Sequence, residues 1–154
     1  MDRLTPGVSY VPAQDVLVIS LVTEDMRLEG AWHVGWPANR QPTEPYVRFM
    51  VHRDGYLLAV MVYEASRWVP SAVVKGSADR ELLCMWAADE EDCLWVPLFP
   101  DAWDVSRTMT LIELPKNGPS VTLGTARSGR LVGLLVHKAS KSLEPGILPP
   151  AGKA

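Results

Sequence analysis

The sequence predicts a mainly β protein, an antiparallel sandwich or small barrel that ends in a three-stranded meander. Three observations support this fold class. Short segments in which apolar and polar residues alternate recur along the 154 residues of the chain. Clusters of Gly, Pro, Asn and Asp separate these segments. Dipeptides that favour tight hairpin turns, such as Asp-Gly and Asn-Gly, join several of them into antiparallel pairs.

The first two predicted strands lie over 16–23 and 26–36. The segment VLVISLVT is apolar almost throughout, which is typical of a strand that is covered on both faces. The next strand alternates cleanly, with Trp32, Val34 and Trp36 on one face and His33 on the other. This pattern predicts a half-buried strand, which a proline-rich loop, PANRQPTEP, then follows.

A hairpin is predicted over YVRFMVHRDGYLLAVMVY, 46–63. A two-residue turn at Asp54-Gly55 would give both residues a positive φ and would set the register of the pair. One face of this hairpin is wholly apolar and is expected in the core; its pairs are Val47–Val62, Phe49–Val60 and Val51–Leu58. The other face is mixed; its pairs are Tyr46–Tyr63, Arg48–Met61, Met50–Ala59 and His52–Leu57.

The middle of the chain leaves two interpretations open. Residues 77–88 are rich in helix formers, but CLWVPLF follows them closely and needs a strand partner. We favour a strand, because a turn at Glu90-Glu91 would then place Trp86 opposite Trp95. A helix at 77–88 would instead make the fold α+β. One short helix is also expected within 99–107, with Asp101 as its N-cap.

The C-terminal meander rests on two turns that agree with each other. Asn117-Gly118 would return TMTLIELPK onto PSVTLGTA, and Ser128-Gly129 would return that strand onto RLVGLLVH. Both turns place Val121 and Leu123 on the same buried face, which supports three consecutive antiparallel strands. The expected pairs are Leu114–Val121, Ile112–Leu123, Val121–Val136 and Leu123–Leu134.

The organisation of the chain predicts one β-rich domain over 1–137 and a flexible tail over 138–154. A chain of this length can bury one sizeable core. The tail contains Pro145, Pro149 and Pro150 and shows little periodicity. We expect no internal repeat, because none is evident in the sequence.

Charge and composition limit the partners of the protein. With 15 Lys and Arg against 18 Asp and Glu, the net charge is -3, and no basic run suits nucleic acid. The N-terminus lacks the layout of a signal peptide, and the early apolar segment 16–22 is too short to cross a bilayer. We therefore expect a cytoplasmic, acidic protein that binds neither membranes nor nucleic acid.

The sequence contains no motif for a catalytic or metal site. A phosphate-binding loop, a nucleophile elbow and the zinc-protease motif are all missing. His33, His52 and His137 lie on different predicted strands, so they are not expected to converge on a metal ion. Cys84 and Cys93 lack metal-site spacing and are expected to be buried thiols. These features lean against an enzyme and predict no cofactor.

Two candidate binding sites follow from the predicted hairpins. The mixed face of the 46–63 hairpin is expected to be a protein-binding surface, because Tyr, Met and Arg are enriched at interfaces. Its residues are Tyr46, Arg48, Met50, His52, Met61 and Tyr63. The second candidate is an acidic turn that would contact a basic partner if it is more than a solvated hairpin tip. Its residues are Asp89, Glu90, Glu91 and Asp92.

The function we expect is therefore protein–protein binding. An inhibitor, an immunity-type antidote, a secretion accessory protein or a phage-encoded factor would suit these features, and a second copy of the chain is an alternative partner. Two further functions stay open: a small-molecule carrier or enzyme with a hydrophobic pocket, and a structural subunit of a larger assembly.

Overall fold

The computed structural model describes residues 7–22, 31–36, 46–69, 80–81, 85–87, 92–98, 107–114, 118–126 and 129–143. Eleven strands and two one-turn helices are assigned within these ranges. The strands are β1 Gly7–Val11, β2 Val16–Ser20, β3 Trp32–Trp36, β4 Tyr46–Val51, β5 Leu57–Tyr63, β6 Arg80–Glu81, β7 Met85–Ala87, β8 Cys93–Pro97, β9 Arg107–Glu113, β10 Ser120–Ala126 and β11 Leu131–Val136. The helices are α1 Ala65–Trp68 and α2 Ala139–Ser142.

The strands form two antiparallel sheets. The N-terminal sheet has the order β3-β4-β5-β2-β1-β6, and the C-terminal sheet has the order β7-β8-β11-β10-β9. The prediction of a mainly β fold is confirmed, and the described strands form two separate sheets, as in a sandwich. The C-terminal meander is also confirmed, as β9, β10 and β11.

One cluster of buried apolar residues connects both sheets and both helices. Phe49 of β4 and Val136 of β11 are both fully buried in it, and so are Ala65 and Ala139 of the helices. The predicted core face of the first hairpin is confirmed, because Val47, Phe49, Val51, Val60 and Val62 all belong to this cluster. The core therefore lies between the inner faces of the two sheets.

Five strands of each sheet form a copy of the same structural unit, and β6 is an additional strand at the edge of the first sheet. Each unit consists of a hairpin followed by a three-stranded meander, and the third strand of the meander pairs with the second strand of the hairpin. The strand order β3-β4-β5-β2-β1 of the first unit therefore recurs as β9-β10-β11-β8-β7 in the second. Residues 47–69 correspond to 121–143, and each residue has its counterpart 74 positions later. The identical described pairs are Val47 and Val121, Gly55 and Gly129, Leu57 and Leu131, Val62 and Val136, Ala65 and Ala139, and Ser66 and Ser140. The expectation of no repeat was therefore wrong. The repeat is not evident in the sequence because most aligned positions share only the size or polarity of their residues.

The first hairpin turn differs from the predicted two-residue turn. The His52 N–H donates to the Tyr56 carbonyl, which leaves three residues in the loop, and Gly55 has φ +93. A bulge then makes Val51 pair with Leu57, while Met50 still pairs with Ala59. The extra loop residue and the extra strand residue offset each other, so the predicted pairs from Tyr46–Tyr63 to Met50–Ala59 are confirmed. The predicted pairs at Val51 and His52 are wrong.

The turn between β10 and β11 has the same construction. The Ala126 N–H donates to the Arg130 carbonyl, Gly129 has φ +86, and a bulge follows Gly124. The predicted pairs of Val121 with Val136 and of Leu123 with Leu134 are confirmed. Both hairpins therefore use a three-residue loop with a left-handed glycine, a common alternative to the two-residue turn.

The register of β9 against β10 differs from the prediction by two residues. Val121 pairs with Ile112 and Leu123 with Thr110, and the Leu114 N–H donates to the Pro119 carbonyl at 3.2 Å. The connection is therefore longer than the predicted Asn117-Gly118 turn. A shift of two residues keeps every side chain on its face, so Ile112 and Leu114 are still buried.

The uncertain middle segment forms strands where it is described. Residues 80–81 and 85–87 lie in β6 and β7, which contradicts a helix over these positions. Met85 pairs with Trp95, so the predicted pairing of Trp86 with Trp95 is wrong by one residue. The short helix expected near Asp101 lies outside the described residues.

The predicted tail begins too early. Helix α2 starts at Ala139, and Ala139, Ser142 and Leu143 are all buried. The part of the tail prediction that covers 138–143 is therefore wrong, and residues 144–154 lie outside the described ranges. Proline content and weak periodicity did not reveal a single docked helical turn.

We expect Phe49→Ala to lower the free energy of unfolding by about 3–5 kcal/mol, through lost burial and the cavity that remains. Phe49 is fully buried. Met50→Ala, its half-buried neighbour on the outer face, is the matched control and should cost about 1 kcal/mol. Urea denaturation measures both variants, and equal losses would contradict the assignment of the two faces.

We expect Gly55→Ala and Gly129→Ala to cost about 1 kcal/mol each, because a Cβ disfavours the left-handed conformation. No heavy atom lies within 4 Å of an added Cβ at either glycine, so the cost is conformational and not steric. The Asn variants should cost less, since Asn tolerates this conformation better. Thermal melts that rank Asn below Ala at either position would contradict this interpretation.

Candidate functional site

The predicted mixed face lies on the outer side of the N-terminal sheet. Strand register places Tyr46, Arg48, Met50, Met61 and Tyr63 together there, opposite the core face. Arg48 is exposed, and the other four are half-buried. The structure therefore brings together five of the six residues that were predicted for this surface.

The two tyrosines of this face pack closely. Their ring centroids are 5.4 Å apart. The ring of Tyr46 also lies across Gly35 on β3, where a Cβ would collide with the tyrosine hydroxyl. Part of this predicted surface is thus filled by its own side chains, which explains why the tyrosines are half-buried.

His52, the sixth predicted residue, belongs to the turn and not to the mixed face. It is only 8% exposed. Its Nδ1 accepts a hydrogen bond from the Asp54 N–H at 3.1 Å, and its ring stacks against Tyr56 with centroids 6.5 Å apart. The prediction failed because the three-residue loop moves His52 out of the ladder and into the turn.

The acidic candidate site is only partly described. Residues 88–91 lie outside the described ranges, so nothing tests Asp89, Glu90 and Glu91. Asp92 accepts hydrogen bonds from the backbone N–H and the hydroxyl of Ser140 in α2, and its carbonyl accepts from Ala139. The Asp92 carboxylate therefore holds a helix in place.

Asp15 makes the same contacts in the first unit. Its carboxylate accepts from the Ser66 N–H at 2.9 Å and from the Ser66 hydroxyl at 2.6 Å, and its carbonyl accepts from Ala65. Asp15 and Asp92 both have φ near +50, as do Glu64 and Lys138 before the two helices. We call this arrangement the aspartate clamp; it joins the start of β2 to α1, and the start of β8 to α2.

The charge of Asp15 is stabilised by the clamp. Partial burial acts to raise its pKa, but hydrogen bonds from Ser66 and from the Tyr10 hydroxyl, at 2.7 Å, together outweigh that effect and lower the pKa of the carboxyl. The same Tyr10–Asp15 hydrogen bond is the main cause that raises the pKa of Tyr10. Asp15 is therefore held ionised in the folded state.

The outer face of the C-terminal sheet exposes large apolar residues at its edge. Leu111 is 57% exposed and Met109 is 44% exposed, more than any other large apolar residue described. Met109 pairs in register with Gly124, which has no side chain to cover it. At the corresponding positions of β3 the first unit has His33 and Gly35, so the fold does not require this apolar edge.

The outer backbone edge of β9 is open among the described residues. The Leu114 N–H donates to the Pro119 carbonyl, so the backbone groups of Leu114 point toward β10. Every second residue of an antiparallel strand points its backbone groups to the same neighbour. The N–H and C=O groups of Thr110 and Ile112 therefore also point toward β10. Met109, Leu111 and Glu113 then point their backbone N–H and C=O groups to the other side. No strand in the described ranges pairs with that side.

A cysteine, a histidine and a threonine meet on the same outer face. The Cys93 sulfur of β8 lies 3.5 Å from Nδ1 of His137, and Nε2 of His137 lies 2.6 Å from the Thr122 hydroxyl of β10. Cys93 is 6% exposed, Thr122 is 7% exposed, and Cys93 is not in a disulfide. We call these three residues the thiol cluster.

A cavity of about 300 Å³ lies beside the thiol cluster, between the first hairpin turn and α2. His137 lines it, together with Ser120, Lys138 and Lys141. None of the six residues of the predicted mixed face lines this cavity. The full lining is Asp54, Gly55, Gly118, Pro119, Ser120, His137, Lys138, Lys141 and Ser142.

Sequence reasoning missed both the β9 edge and the thiol cluster. Met109 and Leu111 alternate with Thr108 and Thr110, so the sequence shows the two faces but not which neighbour covers them. Cys93 and His137 are 44 residues apart, and only the pairing of β8 with β11 brings them together. No local pattern predicts that contact.

Comparison with known proteins gives no further guide to this site, because no family model, curated protein or solved structure matches the chain. Within the described residues, no helix is long and apolar enough to cross a membrane. The same residues contain no group of three or more His, Cys, Asp or Glu side chains that could hold a metal ion.

We expect Asp15→Asn to reduce the dependence of stability on acid pH. The folded pKa of Asp15 lies below the ordinary value of 3.8, so its contribution is present above that value and is lost as the pH falls through the folded pKa. Urea denaturation between pH 6 and pH 2.5 should therefore show a smaller fall in unfolding free energy for the variant than for the wild type. Parallel curves would contradict a stabilising charge at Asp15.

Proposed function

We propose that the protein functions by binding polypeptide chains at the open edge of β9, and that its partner is a second copy of itself. The observation that carries this proposal lies on one strand: Met109 and Leu111 are exposed, and no strand among the described residues pairs with their outward backbone groups. Native edge strands usually carry charges, prolines or bulges that prevent such pairing. The central residues of β9, TMTLI, have none of these devices.

The sequence of β9 is complementary to itself in the antiparallel direction. When two copies pair about Thr110, Met109 of one copy lies opposite Leu111 of the other, and Arg107 lies opposite Glu113. The backbone groups of Met109 and Leu111 that point outward are the ones that this register would bond. The pairing therefore places two apolar pairs at the centre and two pairs of opposite charge at the ends.

Neighbouring registers are less favourable. Centring the pair on Met109 or on Leu111 shortens the paired segment and removes the matches between Arg107 and Glu113. Cross-strand apolar and opposite-charge pairs contribute about 0.2–1 kcal/mol each, so the register about Thr110 gains most from side chains. Such a two-fold contact closes on itself and gives a dimer, which favours a dimeric binding protein over a subunit of an open assembly.

The predicted mixed face of the N-terminal sheet is the second candidate surface. Arg48 is exposed there beside the packed pair of Tyr46 and Tyr63, and Arg and Tyr are frequent hot-spot residues. We rank it below the β9 edge because its apolar residues, Met50 and Met61, are half-buried. A partner protein on this face is compatible with a dimer through β9.

We expect charge reversal to test the β9 dimer directly. Arg107→Glu and Glu113→Arg each place like charges opposite each other twice, and each should weaken dimerisation by about 5- to 30-fold. The double variant restores opposite charges and should recover most of the wild-type affinity. Sedimentation equilibrium over a range of protein concentrations measures the four dissociation constants, those of the wild type, the two single variants and the double variant.

Three further variants separate the candidate surfaces. Leu111→Lys should dissociate the dimer, whereas Val11→Lys, at an exposed apolar residue of the other sheet, should not. If Arg48→Ala with Tyr63→Ala dissociates a dimer that the β9 variants leave intact, the interface is the mixed face. A wild-type chain that stays monomeric at high concentration would contradict self-pairing at β9.

A further inference from the structure

We propose that the thiol cluster is a modification site at which a small hydroperoxide, such as hydrogen peroxide, oxidises Cys93. The inference does not rest on the proposed dimer, because it uses a different group of residues and a different chemistry. It rests on the contacts of Cys93, His137 and Thr122, on a comparison between the two units, and on the cavity beside His137.

The contacts give each residue a distinct role. In the tautomer that carries its proton on Nε2, His137 donates to the Thr122 hydroxyl at 2.6 Å and leaves Nδ1 to accept the Cys93 thiol proton across 3.5 Å. Thr122 thereby fixes the orientation of the ring. A nucleophile, a base and a group that orients the base are the arrangement that activates thiols in proteins.

Comparison of the two units shows that the fold does not need this cluster. The first unit has the same strand order and the same aspartate clamp. At the positions that correspond to Cys93, His137 and Thr122 it carries Val16, Tyr63 and Arg48. Since the shared framework forms with these other residues, the thiol and the imidazole are a feature of the second unit alone.

The surroundings of the cluster select small reactants. Cys93 is 6% exposed, so a bulky electrophile cannot approach the sulfur without local opening. His137, however, lines the cavity of about 300 Å³ next to α2. Of the thiol cluster, His137 alone lines this cavity, so we expect a hydroperoxide, which is small and polar, to approach the cluster from that side.

The reaction balances with the peroxide as the only oxidant. The thiol proton passes to Nδ1 of His137, and the sulfur attacks one oxygen of the hydroperoxide. The O–O bond breaks, and the leaving oxygen takes the proton from the imidazolium to give water or an alcohol. The sulfur is oxidised to a sulfenic acid while the peroxide is reduced. One thiol can later condense with the sulfenic acid to a mixed disulfide and water, and a second thiol then releases the Cys93 thiol.

A kinetic trapping experiment tests the proposal. The chain has two cysteines, and the Cys84→Ser variant keeps only Cys93. The folded protein is treated with hydrogen peroxide, and the peroxide is removed after set times. The chain is then unfolded in urea with dimedone present, so that dimedone reaches every sulfenic acid, and mass spectrometry gives the rate at which the sulfenic acid formed. The same chain unfolded in urea gives the rate of an unassisted thiol, and we expect the folded rate to exceed it by about tenfold or more.

Variants in the same background separate activation from packing. His137→Asn should lower the rate about tenfold, to near that of the unfolded chain. Thr122→Val should lower it several-fold, while Thr122→Ser, which keeps the hydroxyl, should react like the parent. The Thr122 pair decides the question if the His137 variant does not fold, as checked by circular dichroism. A folded rate at or below the unfolded rate, or equal rates for Thr122→Val and Thr122→Ser, would overturn the proposal.

Discussion

The pairing of β2 with β5, and of β8 with β11, is the constraint on which the rest of the structure depends. Every other strand pair of the two repeated units joins strands that are consecutive in the chain, whereas these two pairs join a hairpin to a later meander. Loop-closure entropy opposes such pairs, so they need contacts that fix their register. The aspartate clamp supplies them: Asp15 stands before β2 and holds Ser66 after β5, and Asp92 and Ser140 do the same in the second unit. The clamp aspartates and the residue before each helix adopt left-handed backbone conformations in both units, and the hydrogen bonds of the clamp offset that strain.

The duplication separates what the fold requires from what a particular site requires. The left-handed glycine of each hairpin loop, the Ala-Ser pair at the start of each helix and the clamp aspartate occur twice, and all of them have a structural explanation. The apolar edge of β9 and the thiol cluster occur once. The two units also contact each other through their ends: Arg130, beside the second hairpin loop, donates to the Val69 carbonyl after α1 at 2.8 Å. The buried cluster that both units share and this end contact make the two units interdependent.

The outer faces of the two sheets carry different surfaces on the same framework. On the N-terminal sheet, the ring of Tyr46 fills the space above Gly35, and the apolar residues are half-covered. On the C-terminal sheet, Trp95 lies across Gly133 in a similar way, which covers the middle of the face and leaves its β9 edge exposed. A large ring over a glycine is thus used twice to cover an outer face. The chain has apolar residues on both faces of its hairpins because aromatic side chains of neighbouring strands cover much of the second face.

The sequence by itself determined the faces of the strands. Alternation placed Val47, Phe49, Val121 and Leu123 in the core, and Tyr46, Arg48, Met61 and Tyr63 on one outer face, because the two-residue period of a strand is a local property. The strand pairs farther from the turns at Gly55 and Gly129 were also predictable, because in each hairpin a bulge offsets the extra loop residue. Tertiary structure alone decided the loop lengths, the shift of β9, the docking of α2 and the meeting of Cys93 with His137. These four features depend on how distant strands pack and on which bulges offset which turns. A register shift of two residues also leaves the apolar pattern of a strand unchanged. For these reasons no local sequence pattern can specify the four features.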